Sequence, residues 1–160
     1  MTTKRRRCVL GLLFMLTLLL TACGNGNAAS TDGPPRQPGE LEVTAVGTNL
    51  AFEQTTINVR AGQAVTLTLN NGESSLEHNW VLVRGGEDVA RTVAGAALTA
   101  GRANHYLPSD SSDILAATQV LPPGEVETIN FVAPEPGIYF YICTVPGHYP
   151  LMRGRLVVEE

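Results

Sequence analysis

An all-β fold, a sandwich or barrel of short strands, is what this sequence predicts. Apolar and polar residues alternate with period two in several runs of five to seven residues. Glycine, proline and asparagine cluster between those runs at turn spacing. Alternation of this kind lays one apolar face on a core and turns the other to solvent, and regular turn signals fold such strands into stacked sheets. No internal repeat is evident.

The first strand is expected over residues 41–46, Leu-Glu-Val-Thr-Ala-Val. Residues 56–60 and 64–69 follow, a turn apart at Gly62. Asn70-Asn71-Gly72 then turns the chain. A strand over 78–83 ends at Gly85-Gly86. Residues 89–100 are alanine-rich and predict a short helix, and 101–113 are polar and turn-prone. Pro122-Pro123-Gly124 introduces a strand over 126–132, and Pro134 to Gly137 is a turn. Residues 138–143 form a strand with two apolar faces: Tyr139, Tyr141 and Cys143 on one, Ile138, Phe140 and Ile142 on the other. It is therefore expected to be central and covered. Residues 155–158 make the last strand.

Ahead of this domain, residues 1–22 read as an export signal. Lys4, Arg5, Arg6 and Arg7 form a basic start, and an apolar run over 9–20 is too short for a membrane-spanning helix. Leu20-Thr21-Ala22-Cys23 resembles a bacterial lipobox, in which Cys23 is acylated and becomes the mature N-terminus. An ordinary cleaved signal is the alternative, and Arg5-Arg6 also permits a twin-arginine route. Residues 23–40 are expected to be the lipidated N-terminus and a flexible linker rich in Gly, Asn, Ser and Pro, and 41–160 the single folded domain. Cys8 leaves with the signal, so Cys143 is the domain's only thiol and no internal disulfide is possible. Losing the signal carries the formal net charge from −4 to −8 and leaves no lysine. That balance argues against nucleic acid as a partner, and suits a head that avoids anionic membrane and docks on a basic patch.

The C-terminal run Cys143-Thr-Val-Pro-Gly-His148-Tyr-Pro-Leu-Met152 carries the chemistry, together with His78 upstream in Glu-His-Asn-Trp. Alone, each of these residues reads as ordinary core or surface. Together they offer a thiolate, two imidazoles and a thioether, with Pro146 and Gly147 supplying a turn. Two histidines and a cysteine with a long axial methionine make a blue-copper electron-transfer site. His105, the third histidine, reads as a solvent-exposed loop residue, and Trp80 as core.

This loop resembles the ligand loop of the cupredoxins, the small type 1 blue copper proteins, in its azurin-like branch. The Cys-Thr-x-Pro-Gly-His opening, the spacing to methionine and the asparagine after His78 carry the resemblance, and the overall pattern is most similar to the auracyanins. It implies a Greek-key β-sandwich with a short helix-bearing insertion over about residues 87–121. It also implies one copper, cycling between Cu(II) and Cu(I), held by His78, Cys143, His148 and Met152. By the same resemblance Asn79 cross-braces the Cys143 loop and the Val145 amide donates to the sulfur. Azurins carry glycine where this chain has Glu77, so no carbonyl ligand is expected. Tyr149 would pack over the site or sit at a docking face.

The implied role is a one-electron carrier, not an enzyme. It would work as a monomer on the extracytoplasmic, periplasmic side of the bacterial membrane. Membrane-bound redox complexes or a cytochrome would be its donor and acceptor, in a photosynthetic or respiratory chain. The alternative is a copper-binding or delivery lipoprotein, but such proteins favour methionine-rich or multi-cysteine sites, and after the signal one methionine remains. A copper enzyme needs further histidines, and a binuclear site needs a second loop cysteine. A zinc site remains chemically open, although the affinity order favours Cu²⁺.

Overall fold

The computed structural model describes residues 39–160, so the signal, Cys23 and nearly all of the linker lie outside the described residues. Eight strands, one α-helix and one 3₁₀ turn follow in the order β1 Glu40–Thr44, β2 Thr56–Arg60, β3 Ala64–Asn70, β4 Val81–Val83, α1 Glu87–Ala100, the 3₁₀ turn Arg102–Asn104, β5 Ile114–Ala117, β6 Val126–Val132, β7 Gly137–Ile142 and β8 Arg153–Glu159. They build a three-stranded sheet, β1-β3-β6, and a five-stranded sheet, β2-β8-β7-β4-β5. The β1–β3 and β2–β8 pairs are parallel and the rest antiparallel. Only β4–β5 and β7–β8 join sequence neighbours within a sheet, so most connections cross between sheets, as a Greek-key sandwich requires.

Alternation places the core between the sheets. Val65, Leu67 and Leu69 of β3 meet Ile57 and Val59 of β2 and Leu156 and Val158 of β8, all buried. Trp80 is fully buried among them, its ring stacked on Tyr141 at 5.6 Å and 29°. At β7 both faces carry apolar side chains, as expected of a central strand. Tyr141 and Cys143 face the main core, and Ile142 faces a second cluster with Val81, Val83 and the α1 residues Ala90 and Val93. Ile138, near the start of β7, lies beyond that cover and is exposed. Helix α1 begins two residues before the alanine-rich run, because Glu87 and Asp88 suit the positive end of the helix dipole.

Three local differences from the sequence reading have physical causes. Residues 56–60 and 64–69 are a turn apart in sequence yet lie in different sheets, so Gly62 turns the chain from one layer to the other. The strand expected over 78–83 shrinks to Val81–Val83. At Trp80 the N–H donates to the Thr118 hydroxyl at 2.9 Å instead of a backbone carbonyl, and His78 keeps only an isolated bridge to Leu121. Strand β5 was not foreseen, since Ile-Leu-Ala-Ala is short, half-buried and shows no alternation. Among the described residues, no helix is long and apolar enough to cross a membrane.

Candidate metal centre

Two separate stretches converge at one end of the sandwich. The first carries His78, whose backbone is clamped by reciprocal bonds with Leu121: its N–H donates at 3.1 Å and its carbonyl accepts at 2.8 Å. The second is the loop between β7 and β8. Cys143 directly follows the buried end of β7, and its N–H donates to the Met152 carbonyl at 3.0 Å. Within the loop the His148 N–H donates to Val145, and the Met152 N–H donates to the His148 carbonyl at 2.8 Å. Gly147 takes φ 85°, a turn conformation that a side chain resists. Met152 is thereby held at the base of the loop, fully buried in the core that contains Cys143.

The ligating atoms of His78, Cys143 and His148 all lie within 4.8 Å of one another. The two Nδ1 atoms are 3.2 Å apart, and the Cys143 sulfur is 3.9 Å from His78 Nδ1 and 3.5 Å from His148 Nδ1. A metal with bonds of about 2.0 Å to nitrogen and 2.3 Å to sulfur, in trigonal array, separates its donors by roughly 3.5 Å. The cluster fits. His78 and Cys143 are fully buried, while His148 is half-buried.

Electrostatics prepares the donors. Burial, then the neighbouring His148, lowers the His78 pKa to about 4, against a smaller opposing pull from Glu77. Burial lowers His148 too, with Glu77 again opposing. Both rings are therefore neutral at pH 7, with lone pairs available. Burial pushes the Cys143 thiol up to about 12, although backbone hydrogen bonds from Asn79 and Val145 favour the thiolate. Metal uptake must displace that thiol proton, and a cation supplies what the dry site lacks.

Around the donors, Asn79 is fully buried and joins both stretches. Its Oδ1 accepts from the Thr144 N–H at 2.8 Å, and its Nδ2 donates to the Thr144 hydroxyl at 2.8 Å and to the His105 carbonyl at 3.0 Å. His105 corrects the sequence reading. It is half-buried in a left-handed conformation, φ 53°, and its Nδ1 accepts the Val120 N–H at 3.2 Å. It stands outside the donor cluster and links α1's end to the His78 stretch. Glu77 pairs with Arg102 on the surface. Tyr149 lies against the start of α1, its hydroxyl 3.4 Å from the Glu87 carbonyl and the Arg153 guanidinium over its ring.

Sequence reasoning missed Ser74, whose buried hydroxyl sits 3.0 Å from His78 Nε2. Nothing in the polar turn run 70–75 marks it, because serine there is what any loop would carry. The Asn79 amide, the second donor to the sulfur, was missed for a similar reason: backbone bonds leave no trace in residue type.

The family model for copper binding proteins, plastocyanin/azurin family, matches residues 39–159. The chain is 45% identical to auracyanin-A of Chloroflexus aurantiacus over 157 residues, which cover 96% of this chain and 97% of that protein. The solved structure of auracyanin A, a "blue" copper protein from the same bacterium, superposes with a TM-score of 0.72 at 47% identity, covering 77% of this chain and all of that one. Dithionite-reduced auracyanin from Roseiflexus castenholzii gives the same TM-score at 42% identity, covering 76% of this chain and 98% of that one. The chain belongs to the plastocyanin/azurin family of copper-binding proteins and is a blue copper protein of the auracyanin and azurin type.

Proposed function

We propose that this protein carries single electrons between membrane-bound redox complexes, tethered outside the cytoplasmic membrane by lipid on Cys23. The observation that carries the reading is the convergence of His78 Nδ1, His148 Nδ1 and Cys143 Sγ at the end of a covered strand. In this reading those three atoms would hold copper, with the buried Met152 thioether as a further, weaker donor. Bound there, copper accepts and releases one electron.

The chain's own residues supply rigidity and access. Reciprocal backbone bonds fix His78, and the Asn79 contacts fix the loop that bears Cys143. Donors held this firmly move little when the charge changes, which favours fast transfer. His148 is the half-buried donor, and its loop neighbours Pro146, Gly147, Pro150 and Leu151 are exposed. Its ring edge is thus the route to a partner, through an apolar rim. Full burial of His78, Cys143 and Met152 speaks against copper delivery, where a partner must reach the ligands to exchange the metal.

The test is the visible spectrum of the oxidised, copper-loaded protein. Intense blue or green colour that bleaches on one-electron reduction, and is lost in Cys143→Ser, is expected. Colourless protein with stoichiometric copper overturns the reading. For the tether, Cys23→Ala is expected to leave the membrane fraction on expression in a bacterial host. Equal partitioning of wild type and variant, with no mass increment on the wild-type N-terminus, overturns the anchor.

A further inference from the structure

We propose that Ser74 is a positioning residue for His78: its hydroxyl stays hydrogen-bonded to Nε2 whichever ring nitrogen carries the proton. The inference rests on His78 being a metal ligand through Nδ1. Ser74 is 5% exposed, and its Oγ has three neighbours: His78 Nε2 at 3.0 Å, the Leu76 N–H at 3.1 Å and the Leu76 carbonyl at 3.3 Å. A hydroxyl has one proton to give and two lone pairs to offer.

With Nδ1 committed to a cation, the His78 proton sits on Nε2 and is donated to Ser74 Oγ. The same oxygen accepts from Leu76 N–H, and its own proton turns to the Leu76 carbonyl. Every donor and acceptor is then used. Without a metal, the two Nδ1 atoms face each other at 3.2 Å, a separation that calls for a proton between them. When His78 supplies it, Nε2 becomes an acceptor and the Ser74 hydroxyl turns round to donate. A backbone carbonyl in this place only accepts, and would leave Nε2 opposed in that tautomer. Serine lets the ring change tautomer as metal enters or leaves, with no buried polar atom stranded. The short loop that carries Ser74 is itself pinned, since the two N–H bonds of Asn71 Nδ2 are shared among the Leu76, Leu121 and Pro122 carbonyls.

Loss of such a partner weakens the basicity and aim of a ligating imidazole, and typically costs ten- to a hundred-fold in metal affinity. Ser74→Ala is expected to bind Cu(II) about tenfold more weakly. With Cu(I) affinity held, that tenfold is a rise of about 59 mV in reduction potential. Ser74→Thr, which keeps the hydroxyl, is expected to restore both. A loop-packing role alone would lower the melting temperature and leave the potential in place. Folded Ser74→Ala with wild-type potential and Cu(II) affinity overturns the proposal. If that variant fails to fold, ¹⁵N-histidine NMR of the wild type decides. In the Cu(I)-loaded protein, a slowly exchanging, hydrogen-bonded Nε2 proton on His78 supports the proposal; a freely exchanging one overturns it. Copper colour in the wild type keeps these outcomes separate from failure of the metal reading.

Discussion

Asn79→Ala isolates what the brace contributes. The side chain is fully buried and makes three hydrogen bonds, two to Thr144 and one to the His105 carbonyl. Alanine cannot replace any of them. The Thr144 N–H and the His105 carbonyl lose their partners outright. An orphaned buried polar group costs about 1–3 kcal/mol, so two of them cost about 4 kcal/mol. Against a typical total of about 5–15 kcal/mol, that is a large fraction. For a domain of about 120 residues it is roughly 15 °C in melting temperature. The assay is urea unfolding of metal-free protein, because a ligand bound only to the folded state would mask the loss. Asn79→Asp should fall short of full rescue, since it keeps the acceptor for Thr144 N–H but faces a carboxylate oxygen to the His105 carbonyl. A loss below about 1 kcal/mol for Asn79→Ala would refute the reasoning, and would mean that the two stretches are held together without this side chain.

Other predictions follow from single features. Met152→Leu is expected to keep copper and raise the reduction potential, since an alkyl group supports Cu(II) less than a thioether does; potentiometry showing no rise in a folded variant counts against axial ligation. Metal-free protein is expected to lose stability as pH falls from 6.5 toward 4. His78 is lowered to about 4 in the folded state, so the unfolded chain binds the extra proton across that window. Melting curves from pH 7 to 4 check the sign, and His78→Gln should flatten the slope. Gly154→Ala is expected to destabilise by about 1–3 kcal/mol, because a Cβ there overlaps the ring of its cross-strand partner Tyr141; an unchanged denaturation midpoint would show that the ring can move aside. His105→Ala should keep the copper colour while losing about 1 kcal/mol, since it retains the carbonyl bonded to Asn79 but orphans the Val120 N–H.

Strands with strict alternation were legible in the sequence. β2, β3 and β8 bury every second residue, and period two is all that such strands need. The donor types and spacing were legible as well, because Cys143, His148 and Met152 share one short loop with its own turn residues. What stayed hidden depends on tertiary pairing. The ladder breaks at Trp80 because a threonine 38 residues away offers its hydroxyl. His105 looks like any loop histidine until its carbonyl and ring are seen to serve Asn79 and Val120. Ser74 gains meaning only when the loop folds back on His78. Side chains that act through shape or backbone contact carry no distinctive letter.

The parallel pairing of β2 with β8 sets the order in which this molecule can assemble. Thr56 meets Arg155, about a hundred residues further along, so this contact closes one of the longest loops in the domain. Long-range pairings of this kind form slowly and late. The loop bearing Cys143, His148 and Met152 immediately precedes β8, and its geometry is settled only when β8 is seated between β2 and β7. Copper capture therefore follows chain closure instead of nucleating it. Metal should slow the unfolding limb of the kinetics and leave the refolding limb unchanged. The metal-free chain can thus reach its native topology unaided and take up copper afterwards, without a metal-dependent step in the search for the fold.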